Sequence, residues 1–352
     1  MAETDSVIIR PERVEELSLE IGAALSKDLS SLRTINKSTR LVSLNARIEA
    51  ARAGEAGVAF GVVASEVMEL AKGMDSSFHN LEANTAPLLR ELESLGEGLA
   101  RNVRGQRLAD LAATHLDLVD RNLYERSCDV RWWATEGALV HALESRSPID
   151  IQHASQRMGK ILDSYTVYFD LVLCDPEGRV VANGRPDKFN SVGSDVGKME
   201  WFRSALATAS GAEFGFEGVH ASPLAGGERV LVYSTAVRRG GEENGAPIGV
   251  VGVVFRWDAL GQTIVDTAAV PPDEASRTRV LIAEPDGRVI AASGGVRDGE
   301  KLPVEDWLTR NGAPRFHLGV QWNGREHLVA LARSQGYETY ATGWVGLLVQ
   351  QV

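Results

Sequence analysis

Cysteine is nearly missing from these 352 residues. Only Cys128 and Cys174 occur, which excludes a disulfide framework, and no CxxC pair offers zinc spacing. Long apolar runs are missing as well. The longest candidate, IGVVGVVF (248–255), has the length of a buried strand, well short of the ~18–20 residues that cross a bilayer. Nor is there an excess of positive charge. The net charge is −11, with 16 Lys and Arg against 23 Asp and Glu up to residue 145 and 21 against 25 beyond it. A nucleic-acid groove needs a basic face, so that class is set aside. The start, MAETDSVIIRPERVEE, has no basic segment leading into an apolar core and does not read as a secretory signal. His115, His141 and His153 share no metal spacing, and no phosphate loop, nucleophile elbow, cyclase or kinase signature occurs. The expectation is a cytoplasmic protein with free thiols that is not an enzyme, has no cofactor and no metal, and does not bind nucleic acid.

What is present begins with helix. From Pro11 to Ala53 there is no further proline and one glycine, Gly22. Val14, Leu17, Ile21, Ala24, Leu25, Leu32, Ile35 and Val42 form an apolar stripe near the 3.5-residue period. Beyond Gly57, the positions Phe60, Val63, Val67, Leu70, Met74, Ser77, Leu81, Asn84, Leu88, Glu91 and Leu95 alternate spacings of three and four, which reads as a coiled-coil seam. Pro87 should kink this second helix or end its regular part. Between the two lies AGEAG, where Gly54 and Gly57 suit a tight reversal. An antiparallel hairpin follows, with residue i facing roughly residue 111 − i.

The block INKSTRLVSLNARIEAARAGEAGVAFGVVASEVMELA (35–71) resembles the signalling tip of methyl-accepting chemotaxis proteins. The matches include Asn45, Ile48, Glu49, Arg52, Gly54, Glu55, Gly57, Phe60, Val63, Glu66 and Leu70. The resemblance implies that the tip binds a histidine kinase and a coupling adaptor, and that it packs homodimers into a trimer of dimers. It assigns Leu41, Leu44, Asn45, Ile48, Glu49 and Arg52 to the trimer contacts, and the tip of the returning helix, with Val62, to the adaptor and kinase surface. Lys37, Arg40 and Arg47 depart from the family pattern by adding cations.

GEGLARNVRGQ (96–106) is glycine-rich and should end the hairpin; helix resumes over 107–145. After SRSP (145–148) the texture turns to strands. YFDLVLCDPEGRVVANG (168–184) reads as a hairpin around an Asp-Pro-Glu-Gly turn, followed by a short helix and three strands, the order of a PAS-like sheet. RVLIAEPDGRVIAAS (279–293) repeats that hairpin about 110 residues later, so two similar modules stand in series. This resembles the double Cache sensor domains of bacterial receptors. The expected pocket lies in the first module, where the helix crosses the sheet, lined by Tyr168, Trp201, Arg203, Phe214, Phe216 and Tyr233. Arg203 is a candidate carboxylate partner.

The fold class expected is thus α+β: a helical coiled-coil hairpin (1–100), a helical connector (101–147), and two PAS-like sheets of double Cache type (148–270 and 271–352). The function expected is a chemoreceptor-type transducer in which a small molecule held by the Cache-like region controls a kinase through the hairpin tip. The alternative is a non-sensing scaffold whose Cache-like region serves dimerisation.

Overall fold

The computed structural model describes residues 11–297, 299–322 and 324–352. The first ten residues of the expected hairpin therefore lie outside the described ones. The chain divides into two units, one ending at Arg104 and the other comprising Gly105–Val352.

The first unit holds helix α1 (Pro11–Arg52), a short 3-10 turn (Gly54–Gly57), and the first part of helix α2 (Val58–Trp133). Two glycines make the reversal possible. Gly54 sits at φ +60°, in the left-handed region that favours glycine. A Cβ on Gly57 would lie 2.2 Å from the Ala50 carbonyl oxygen. The arms pair in the expected register: Ala50 meets Gly61, and Gly22 meets Leu89.

The seam between the arms is not the one expected. The residues buried there are Ser18, Leu29, Asn36, Ser43 and Ala50 on α1, and Ala64, Ala71 and Phe78 on α2. Small side chains let the two helices approach closely. Asn36 donates across the seam to the Ala71 carbonyl and to Asp75, and Ser43 donates to the Ala64 carbonyl. Polar seam positions of this kind fix register at a cost in stability. Most of the large apolar residues point outward instead: Ile35, Val42, Phe60, Val63, Leu70, Leu88 and Leu95 are all more than half exposed.

Helix α2 also corrects the sequence reading. It neither ends at Pro87 nor breaks at 96–106, but runs unbroken to Trp133. Gly105 is there for close packing rather than for a turn, because its Cβ would lie 2.3 Å from the His317 ring.

In the second unit α2 is followed by α3 (Gly137–Ser145) and α4 (Pro148–Asp163). Ser147 caps α4 by accepting the Asp150 amide, with Pro148 in the first turn. The first sheet has β1 (Tyr168–Cys174), β2 (Val180–Asn183), β3 (Gly215–Ala221), β4 (Arg229–Arg238) and β5 (Pro247–Arg256), with α5 (Glu200–Leu206) between β2 and β3. Helices α6 (Trp257–Asp266) and α7 (Pro272–Ala275) lead into the second sheet. That sheet has β6 (Thr278–Ala283), β7 (Val289–Ala292), β8 (Arg315–Trp322), β9 (Arg325–Arg333) and β10 (Val345–Gln351), with α8 (Val304–Asn311) between β7 and β8. The strand orders correspond: β2-β1-β5-β4-β3 and β7-β6-β10-β9-β8, antiparallel throughout. The α+β class expected from the sequence is what the structure has.

The inner strands of each sheet are buried on both faces and are nearly continuous apolar runs, whereas the edge strands β3 and β8 mix buried with half-buried and exposed positions. One face of each joins the core formed with α2, which includes Leu108, Leu116, Leu123 and Val130. The opposite face of the first sheet packs on α5 through Trp201 and Phe202, and that of the second on α8 through Trp307 and Leu308.

Candidate functional site

At the hairpin turn, α1 carries Asn45, Glu49 and Arg52 at helical spacings of four and three, all exposed. Arg52 Nη1 donates to Glu49 Oε1 at 2.8 Å. An exposed pair of this kind contributes no more than a few tenths of a kcal/mol to the helix, so its presence is not explained by stability. Leu41, Leu44 and Ile48 are 55, 44 and 46% exposed, an apolar strip that the returning arm does not cover. Val62 stands exposed on the other arm, in an open groove along α2 lined also by Gly61, Glu66, Glu69, Leu70 and Met74.

The two flanks of the hairpin differ in chemistry. One is apolar, with Ile35 and Val42 from α1 and Val63, Leu70 and Met74 from α2. The other combines the Leu41 and Leu44 strip with braced charges: Arg40 pairs with Asp75 at 2.7 Å and Arg33 pairs with Glu82, beside Lys37 and His79. Two of the departures in sequence, Lys37 and Arg40, are thus on the charged flank, and Arg40 is neutralised within the chain.

The six candidate pocket residues do not converge on one cavity, which corrects that expectation. Tyr168 and Tyr233 are fully buried in the core shared with α2, and Phe214 and Phe216 pack against the same core. Trp201 is buried on the opposite face, beneath α5. Arg203 is exposed in a surface cleft with Glu177, Lys198 and Glu200. The reason is strand alternation: successive residues face opposite sides of a sheet, and Trp201 comes from a helix on the side away from Tyr168 and Tyr233.

Sequence reasoning missed a polar and aromatic node where α2 meets both sheets. Tyr168 donates its hydroxyl to Asp129 Oδ2 at 2.6 Å, and burial holds that phenol neutral by raising its pKa well above the ordinary value. Arg126 lies within 3.6 Å of the same carboxylate and stacks on the Tyr168 ring. Asp120 accepts from Ser334 Oγ, the Gly336 amide, and both the amide and the hydroxyl of Thr342. The Tyr233 and Tyr340 hydroxyls meet at 2.5 Å and join the two modules. Among the described residues no group of His, Cys, Asp or Glu could hold a metal ion. Among them, too, no helix is long and apolar enough to cross a membrane.

Comparison with known proteins gives two family matches. Residues 63–351 match the Cache domain, and residues 5–104 match the methyl-accepting chemotaxis protein signalling domain. The methyl-accepting chemotaxis protein NahY of Pseudomonas putida is 35% identical over 102 residues, covering 27% of this chain and 19% of that protein. HlyB of Vibrio cholerae is 44% identical over 69 residues, covering 20% of this chain and 12% of that protein. The chain thus spans less than a fifth of the length of these curated relatives. Among solved structures, the sensory domain of the Campylobacter jejuni chemoreceptor Tlp3 superposes with TM-score 0.54 at 15% identity, covering 71% of this chain and 94% of that one. At that identity the likeness establishes the fold.

Proposed function

Because the chain belongs to the Cache-domain family and carries the signalling domain of methyl-accepting chemotaxis proteins ahead of it, we propose that it is a chemoreceptor-type transducer. In this reading the region from about residue 148 onward senses a small molecule, with modules at 148–270 and 271–352. The hairpin tip presents Leu41, Leu44, Asn45, Ile48, Glu49, Arg52 and Val62 to a chemotaxis histidine kinase and its coupling adaptor. The apolar flank pairs with a second copy, and the protein works in the cytoplasm.

The observation that carries this reading is the tip itself: a charged pair and an apolar strip left exposed at a glycine turn, on a hairpin whose own seam is made, apart from Leu29 and Phe78, of small and polar residues. Such a seam buries little apolar surface for its length. The stripes on the apolar flank complete a bundle only against another helical pair. No chemical step is involved. Sensing would act as a population shift, by differential binding to two arrangements of the hairpin.

One observation favours the second reading, a scaffold whose Cache region does not sense. Trp201 and Phe202 fill the α5 face of the first sheet. The discriminating experiment is a pull-down of the full chain with the kinase and adaptor, comparing wild type with Glu49→Ala/Arg52→Ala. The transducer and scaffold readings both require capture by wild type and loss in the variant, and equal recovery would remove the interface. A small molecule that raises the melting temperature of the second unit then separates sensing from scaffolding.

A further inference from the structure

Two arginines pin the modules to each other reciprocally. Arg229, at the head of β4 in the first module, donates from Nη2 to the Ile290 carbonyl of β7 at 2.6 Å. Arg288, at the end of the β6–β7 turn in the second module, donates from Nη1 to the Val219 carbonyl of β3 at 3.1 Å. Neither side chain is sealed in; they are 34 and 47% exposed. Both line a cleft of about 650 Å³. Arg297 and Lys301, the carboxylates Asp286 and Glu300, and the side chains of Val289 and Val296 line it too.

The second module's wall of this cleft is firmly built. The Leu302 amide donates to the Gly287 carbonyl at 2.9 Å, and the Val289 amide to the Glu300 carbonyl at 3.0 Å. A Cβ on Gly287 would lie 1.9 Å from the Leu302 carbonyl oxygen, so the turn can come this close only as glycine.

Among the described residues that line the cleft, cations outnumber carboxylates four to two, and the carboxylates are committed. Glu300 is engaged by Arg279 through both oxygens. Asp286 accepts from Lys301 Nζ at 2.9 Å and from the Arg288 amide at 3.1 Å. A guanidinium carries five N–H donors and an ammonium three. Arg229 and Arg288 use some of theirs on Asp258, Glu284 and the two carbonyls. The Arg297 side chain makes no hydrogen bond among the described residues. Spare donors on three arginines beside one cleft suit an anion held by paired contacts. The two valines favour a carboxylate on a short hydrocarbon body over a bare inorganic anion.

We propose that this cleft binds a small organic anion with more than one carboxylate, and that the bound anion ties the two modules together through Arg229 and Arg288. The cleft is separate from the α5 face, which Trp201 and Phe202 fill. The proposal names a ligand class for the region read above as the sensor, and rests on that reading only for what binding would signal.

The test uses the full chain and succinate as the probe, read by titration calorimetry. Wild type should bind succinate, should not bind its neutral diamide, and should bind inorganic phosphate more weakly. Arg297→Gln and Lys301→Gln change exposed side chains and should each weaken succinate binding by about tenfold or more. Arg203→Gln, in the exposed cleft that holds Lys198 and Glu200, is the control and should bind as wild type does. In the complex, amide exchange should slow on both sides of the junction, at 219–221 and at 288–290. Weakening by either Arg297→Gln or Lys301→Gln supports the placement, and weakening by neither overturns it, as does loss of binding in Arg203→Gln. No binding of succinate, or phosphate binding as tightly, overturns the ligand class. Protection confined to the second module overturns the tie between modules. None of these readouts involves the kinase or adaptor, so failure here and failure of the tip interface are told apart.

Discussion

Asp170 is a carboxylate with no solvent contact. Its Oδ1 accepts the amides of Leu171, Gly184 and Arg185 at 2.9–3.0 Å, and its Oδ2 accepts from Asn183 Nδ2 at 2.7 Å. Burial pushes its pKa up and the four donors pull it back, leaving it raised from 3.8 to about 6. A carboxyl whose folded pKa lies above its unfolded value favours the folded state most when protonated. That contribution is fully present below the unfolded value and is lost as pH rises through the folded one. A shift of roughly two units corresponds to about 3 kcal/mol. In Asp170→Asn this term disappears. The asparagine oxygen can keep the three amides, and Asn183, whose own buried Oδ1 has no donor, can turn its amide over to accept from the new NH2 at the cost of its bond to the Phe189 carbonyl. All seven tryptophans follow residue 131, so urea unfolding followed by their fluorescence reports on the second unit alone. The stability of wild type minus that of Asp170→Asn should fall by about 3 kcal/mol between roughly pH 4 and pH 7. A difference that stays flat over this window would show that burial does not outweigh the four donors, and the reasoning would fail.

Two further substitutions probe the joints of the structure. Tyr340→Phe leaves the fully buried Tyr233 hydroxyl without its partner; the same fluorescence assay should show a loss of about 1–3 kcal/mol, and no loss would mean that water or another group already satisfies Tyr233. Gly57→Ala drives a methyl group into the Ala50 carbonyl, so far-UV circular dichroism should show the hairpin melting earlier, by roughly 1–3 kcal/mol of overpacking, with the tryptophan signal unmoved.

Much of this architecture was legible in the chain because its signals are local. LVLCDPEGRVV and VLIAEPDGRVI each form a strand, a turn and a strand, and in each an aspartate of the turn, Asp175 or Asp286, accepts the amide of the corresponding arginine, Arg179 or Arg288. Gly54 and Gly57 fixed the reversal for similarly local reasons. The pairing of faces was not legible. A stripe of large apolar residues at 3.5-residue spacing announces that something covers it, but not which helix. In this hairpin the returning arm takes the stripe of alanines, serines and Asn36, and leaves Phe60, Val63 and Leu70 outside. The pocket residues failed for a related reason. Aromatic type and rough position along the chain say nothing about which face of a sheet each ring reaches, and Trp201 lies across the sheet from Tyr168 and Tyr233. Gly105 misled because a glycine that admits the His317 ring looks, in sequence, like one that breaks a helix.

The pairing of two hairpins through their apolar flank can be read with single cysteines in the otherwise native chain, since Cys174 is buried and the wild-type chain supplies the blank for Cys128. Leu70→Cys lies on the apolar flank and Lys37→Cys on the charged one. Under mild oxidation the full chain with Leu70→Cys should form a disulfide-linked dimer well ahead of both Lys37→Cys and wild type. Rapid crosslinking through residue 37, with residue 70 remaining monomeric, would contradict the account.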